Sequence, residues 1–148
     1  IKQCLVGSEM CIRDRYITII LDDSVPKIFG LDRVDTTSDI LVVEGPIDSL
    51  FIQNCIAVAQ SDLRVPQYKD KAILVPDNEP RNREVIKQIE KAIDENYRVV
   101  VWPDYVRQKD INDMILSGLD AVEIMDILSN NTFQGLSAKV ELQKWKRT

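Results

Sequence analysis

Six acidic side chains follow three apolar runs of this 148-residue chain. Because like charges brought together raise each other's pKa, such a set is costly to hold without a cation. Mg²⁺ would remove that cost, since it prefers carboxylate oxygens completed by water and phosphate. The pattern therefore predicts a magnesium site, with Mn²⁺ as the alternative ion. The six acids are Glu44, Asp48, Asp77, Glu79, Asp110 and Asp113.

The elements that must position these acids form an alternation of strands and helices. Strand–helix alternation is typical of an α/β fold, and we expect a parallel sheet of about four strands with helices on both faces, plus short C-terminal helices. In such sheets ligands bind outside the carboxyl ends of the strands, where these acids fall. Apolar runs and helical spacing predict strands at 16–21, 40–43, 56–59, 71–75 and 98–102, and helices at 48–54, 81–95, 110–118 and 120–128.

Some expectations concern single side chains of these elements. The helix at 120–128 should bury Val122, Met125 and Leu128, which share one face. Trp102 continues an apolar strand and should lie in the core. Trp145 stands between lysines, a pattern that fits either stacking on a nucleic-acid strand or a disordered basic terminus.

Composition narrows the class of protein. The net charge of −5 provides no global positive field, which weakens a pure nucleic-acid-binding module but leaves room for an enzyme that meets phosphates through metal ions. No apolar run is long enough to span a membrane. The chain has no histidine and three cysteines without metal spacing, so we expect no zinc in it and interpret Cys55 as a buried thiol.

Residues 5–14 resemble, codon by codon, the translation of a sequencing adapter. We therefore interpret residues 1–15 as an artefact and exclude them from reasoning about the fold.

Three segments carry a resemblance to a known family. VVEGPIDSL, LVPDNEPRN and KDINDMI resemble, in order and spacing, the three signatures of the Toprim domain, which bacterial-type primases, type IA and type II topoisomerases and some nucleases share. KIFGLDRVDTT and EGPIDSLFIQNCIAVA are similar to DNA primases of T-even-type bacteriophages. The resemblance implies three parts of the chain. Residues 16–39 would be the end of a preceding primase core region, residues 40–118 a Toprim catalytic domain, and residues 119–148 a C-terminal helical extension.

The resemblance also implies roles for the acids of the first two signatures. Glu44 would be the catalytic general acid or base, and Asp48 the second acid of its motif. Asp77 and Glu79 would hold the metal. The pair here is D-x-E where the family usually has D-x-D.

The third signature implies that Asp110 and Asn112 complete the metal site. Asn112 stands where many relatives carry an acid, which weakens its claim as a ligand. Asp113 is interpreted as a cap of the helix that follows.

The activity implied is Mg²⁺-dependent synthesis of short RNA primers on single-stranded DNA from ribonucleoside triphosphates. Arg81, Arg83 and Lys109 adjoin the acidic loops and are candidates for phosphate contacts. The resemblance further implies a replicative helicase as partner, no membrane, and action in the cytoplasm of an infected bacterium. We expect the isolated fragment to be inactive, because zinc-binding and template-binding regions normally precede Toprim in such primases.

Three other readings stay open. Another Toprim enzyme, a nuclease or topoisomerase, would share the acids, although no tyrosine has an obvious strand-cleaving role. A receiver-type domain would need an acidic pair after its first strand, where this chain has Glu44-Gly45. A non-catalytic module that docks a helicase would have no need of metal.

Overall fold

The computed structural model describes residues 24–58 and 62–147. The strand expected at 16–21 and the residues interpreted as an artefact lie outside this part of the chain. The strands are β1 Ile28–Phe29, β2 Ile40–Val43, β3 Cys55–Val58, β4 Ala72–Leu74, β5 Arg98–Val100 and β6 Thr132–Phe133. The helices are α1 Arg83–Asp94, α2 Ile111–Leu116, α3 Ala121–Asn130 and α4 Gly135–Trp145, with short 3-10 turns at Leu31–Arg33, Asp48–Leu50 and Pro66–Tyr68.

All six strands form one mixed sheet in the order β1-β3-β2-β4-β5-β6. The four inner strands are parallel, and the two outer ones pair antiparallel with β3 and β5. The expectation of four parallel strands is thus confirmed for the centre of the sheet. The two edge strands were missed, because two residues are too few to show an alternating pattern.

The central strands are apolar along their whole length. Every residue of β2 and of β3 is buried, including Cys55. A strand without a polar face needs cover on both sides, which explains why ILVV and CIAV take the middle of the sheet. The buried thiol expected at Cys55 is confirmed, and burial raises its pKa to about 12.

Helix α1 carries the apolar stripe that the sequence predicts. Ile89, Ala92 and Ile93 are buried, with Val85 and Ile86 packed partly against the core. The helix begins at Arg83, two residues later than predicted, because the Asn82 side chain accepts from the backbone N–H groups of the first turn.

The helix predicted at 48–54 is wrong. A single 3-10 turn, Asp48–Leu50, stands there, and Ile47 and Leu50 are exposed. Asn54 ends the segment with a positive φ of 49°. Its side chain donates to the Asp39 carbonyl oxygen, which turns the chain directly into β3.

The face predicted for the helix at 120–128 is wrong at Val122, confirmed at Leu128 and only partly buried at Met125. Val122 is 69% exposed and Met125 is half-buried, whereas Ile124 and Leu128 are buried. Asp120 caps α3 through a reciprocal pair of bonds with Glu123. In a helix that begins after Asp120, Ile124 and Leu128 stand four residues apart on one face, and this face packs against the core.

Among the described residues, those at the C-terminal end form a packed helix, and the Trp145 ring is not available for stacking. Residues 135–145 form α4, which packs on α1 and buries Ala138, Leu142 and Trp145. Trp145 is only 4% exposed. Trp102 is buried as expected. None of the described helices combines the length and apolarity needed to cross a membrane.

Candidate active site

Two neighbouring strands deliver the first acids to the same edge of the sheet. Strands β2 and β4 are parallel with Val42 opposite Leu74, so Glu44 and Asp77 both emerge at the carboxyl end. The indole N–H of Trp102 donates to the Pro76 carbonyl oxygen at 2.7 Å, which fixes the backbone directly before Asp77.

Asp48, Asp77 and Asp110 line one shallow cleft at this edge, walled by Val43, Trp102 and Ile111. The Asp48 carboxylate accepts from the backbone N–H of Asn112 at 2.8 Å. Burial, together with the negative charges of Asp110 and Asp77, raises the pKa of Asp48 to about 6 despite that hydrogen bond. Residues far apart in the sequence therefore meet as the sheet-end pattern predicts.

Glu44 lies beside this cleft, in a recess between α1 and the sheet that Leu74, Ile89 and Val99 also line. Burial in that apolar recess raises the pKa of Glu44 to about 7, with the charges of Asp77, Glu79 and Asp48 adding to the effect and Lys109 opposing it. The carboxyl group can thus exchange a proton near neutral pH.

Asp77 and Glu79 both form an ion pair with Lys109. The Lys109 ammonium nitrogen lies 3.3 Å from Asp77 Oδ2 and 3.4 Å from Glu79 Oε1. Burial raises the pKa of Asp77, with Lys109 opposing that rise. Burial would lower the pKa of Lys109, but the two carboxylates outweigh it and raise that pKa.

The third signature contributes differently from what was expected. Asp110, rather than Asp113, caps α2: its carboxylate accepts from the Asp113 backbone N–H at 2.8 Å. The assignment of Asp113 as the cap is therefore wrong. Asn112 meets Asp48 through its backbone N–H.

Asn78 is a residue that the sequence reasoning missed. It stands between Asp77 and Glu79, and its side chain bonds to the loop at 106–108 and to Trp145. An amide between two acids gave no signal, because its partners lie 28 to 67 residues away along the chain.

Arg81 and Arg83 are exposed near the amino end of α1. Neither forms an ion pair with another residue in the described ranges. Of the three candidate phosphate contacts, only Lys109 touches the acids.

A comparison with known proteins finds a relative of this chain. The chain is similar to a DNA primase of Enterobacteria phage T4. The two are 44% identical over 137 residues, which is 90% of this chain and 40% of the phage primase. No protein-family model matches the chain.

The match to the phage primase includes the whole candidate site. Only about a tenth of this chain lies outside it, so residues 44–113 fall within it wherever the match begins. The chain nevertheless spans well under half the length of that primase.

The acidic residues of this site could supply some, but not all, of the ligands of one Mg²⁺ or Mn²⁺ ion. Among the described residues, no three acidic, cysteine or histidine side chains converge as a complete metal-binding group. Mg²⁺, however, is commonly held by one or two carboxylates and completed by waters and substrate phosphates. Asp77 and Glu79, which already converge on a cation, fit that requirement.

Proposed function

We propose that this chain is the catalytic segment of a phage DNA primase, with a Toprim-type arrangement of its acids. The observation that carries the proposal is that Asp48, Asp77 and Asp110 line one cleft at the carboxyl end of the sheet, in a chain 44% identical to a phage primase over 137 residues. The reaction would join ribonucleotides into short RNA primers on a single-stranded DNA template, with a ribonucleoside triphosphate as the incoming substrate.

Asp77 and Glu79 are the residues we propose to hold Mg²⁺ or Mn²⁺, with Asp110 and Asn112 as further candidate ligands. The ion would supply charge neutralisation of the triphosphate. The Asp48 carboxylate already accepts a hydrogen bond from the Asn112 backbone N–H, and we propose that it thereby positions the start of α2 beside the cleft.

Glu44 is the proposed acid or base. A pKa of about 7 lets the carboxylate take a proton from a primer hydroxyl and release it again at physiological pH. Its apolar recess keeps bulk water from most of the carboxyl group, which maintains that pKa.

Lys109, Arg81 and Arg83 are proposed to contact phosphates. Lys109 lies between the two carboxylates, so it can turn toward a triphosphate once another cation takes its place. The two arginines are exposed nearby in sequence and suit template or primer strands, which are bound mainly through phosphates. A replicative helicase is a further proposed partner.

The experiment is a segment exchange. Residues 24–147 replace the matching part of the phage T4 primase, and incorporation of labelled ribonucleotides on single-stranded DNA is measured with Mg²⁺. We expect primer synthesis by the hybrid and its loss on Glu44→Gln. A folded hybrid that makes no primers while the parent primase does would contradict the proposal.

A further inference from the structure

The backbone N–H, the side-chain nitrogen and the side-chain oxygen of Asn78 all form hydrogen bonds. Its backbone N–H donates to the Lys109 carbonyl oxygen at 2.6 Å. Its side-chain nitrogen donates to the carbonyl oxygens of Val106 at 2.9 Å and Gln108 at 3.0 Å. Its side-chain oxygen accepts from the indole N–H of Trp145 at 2.9 Å. The turn between the two acids is thus joined to a loop and to a helix.

The chemistry of these partners fixes the orientation of the Asn78 amide. Carbonyl oxygens only accept, and an indole N–H only donates. A flipped amide would set nitrogen against the Trp145 donor and oxygen against two acceptors. The indole N–H and the two carbonyl oxygens therefore select the same orientation, which joins α4 through Asn78 to the loop that carries Lys109.

Trp145 reaches this position because α4 is packed against the core. The side chain is 4% exposed, and Ala138 and Leu142 are buried on the same helix. An indole in an apolar setting needs a partner for its N–H, and Asn78 supplies it.

We propose that Trp145 is a positioning residue for the metal pair: through Asn78, it fixes the turn that aims Asp77 and Glu79 at one cation. The inference rests on the proposed function, since it assigns α4 a part in the metal site. Without the indole donor, the Asn78 side-chain oxygen loses its partner on α4 and the turn is held from the 106–108 loop alone, so the carboxylates on either side of Asn78 are less firmly aimed at one cation.

The test compares two variants of the 148-residue chain. Trp145→Phe removes the N–H and keeps an aromatic ring, whereas Leu142→Ala loosens the same helix without touching Asn78. Mn²⁺ affinity is measured by calorimetry, stability by urea unfolding, and exchange of the Asn78 amide proton by NMR.

We expect Trp145→Phe to weaken Mn²⁺ binding by roughly tenfold, as is usual for the loss of a residue that orients a metal ligand. Leu142→Ala should lower stability yet leave the affinity within about twofold, because it shares no partner with the site. On an Asn78→Ala background, Trp145→Phe should have little further effect on affinity.

Equal losses of affinity in Trp145→Phe and Leu142→Ala would overturn the inference, since helix packing alone would then explain them. If the unmodified chain binds no Mn²⁺, the proposed function fails instead. The exchange measurement still decides the inference in that case: faster exchange at Asn78 in Trp145→Phe alone supports it, and unchanged exchange contradicts it.

Discussion

The carboxyl group of Glu44 is held where ionisation is unfavourable. In the folded chain its pKa is about 7, whereas its ordinary value is 4.5. A folded state that binds the proton more tightly than the unfolded state is stabilised at low pH, and that contribution is lost as pH rises through the folded pKa. Ionising this carboxyl group therefore costs folding stability, and pKa values shifted in this way are concentrated at functional sites.

Replacing Glu44 with glutamine should therefore stabilise the protein at high pH. We expect Glu44→Gln to be more stable than the unmodified chain at pH 8 by on the order of 1 kcal/mol, a figure reduced because part of the carboxylate is solvated. At pH 4 the difference should vanish. Urea unfolding in EDTA at both pH values checks this, with Asp70→Asn, an exposed acid, as the control. A difference that grows as pH falls would contradict the account.

Lys109 is the resident partner of the proposed metal ligands. Its ammonium group lies within 3.4 Å of both Asp77 and Glu79, so a divalent ion entering between them must displace it.

Removing the Lys109 charge should therefore tighten metal binding. We expect Lys109→Met to lower the Mg²⁺ dissociation constant by roughly fivefold, the equivalent of about 1 kcal/mol from a half-exposed ion pair. Calorimetry measures the constant. Lys139→Met breaks an ion pair with Asp94 in another part of the fold and should leave it unchanged. Weaker binding in Lys109→Met would show that lysine does not compete with the ion.

At the scale of elements, two helix caps allow stability and site geometry to be separated. Asn82 caps α1 and also donates to Glu79 Oε2 at 2.7 Å. Asp120 caps α3, and its hydrogen bonds to other described residues lie within that helix start.

Loss of either cap should destabilise the fold by about 1 kcal/mol. We expect Asn82→Ala to weaken metal binding as well, because Glu79 loses a neighbour that orients it. Asp120→Ala should leave binding unchanged. Urea unfolding and calorimetry of the two variants give the comparison, and equal effects on metal affinity would exclude a special role for Asn82.

The buried face of α3 can be tested with a matched pair. Ile124→Ala should cost about 2–5 kcal/mol of stability, the range for emptying a buried aliphatic site. Val122→Ala should cost less than about 0.5 kcal/mol, since Val122 is 69% exposed. Thermal or urea unfolding decides the matter, and a larger effect at Val122 would mean that α3 is rotated from the orientation described.

Long elements were predictable because their patterns are local. The stripe of α1 and the apolar runs of β2 and β3 follow from sequence alone. The turn after β2 was misread as a helix, since Ile47 and Leu50 imitate helical spacing while both are exposed. The strands β1 and β6, with two residues each, depend on neighbours that only the folded chain supplies.

The site was predictable to the same extent and for the same reason. Acids at strand ends can be read directly, and a parallel sheet brings its strand ends together. The Asn78–Trp145 bond joins residues 67 positions apart, and neither residue type announces such a partner. Position along an element is local information, whereas pairing across the fold is not.

Over the whole molecule, the amino and carboxyl ends of the parallel strands differ in electrostatic character. At the amino end, Arg98 forms a double hydrogen bond with Asp39 at 2.7 and 2.8 Å, which neutralises both charges. At the carboxyl end of the strands, Lys109 is the one described lysine that contacts the acids, and the acids outnumber it. Excess negative charge is thus concentrated where a cation would bind, in a chain with a net charge of −5.

The most direct test of the account is calorimetric titration of Mg²⁺ into the 148-residue chain and into Asp77→Ala, Glu79→Ala. A second pair, Asp70→Ala, Asp126→Ala, removes the same charge from exposed positions in other parts of the fold. We predict millimolar or tighter binding that only the first pair abolishes. Binding that persists in the first pair, or no binding by the unmodified chain with a ribonucleoside triphosphate present, would contradict the assignment of this edge as the metal site.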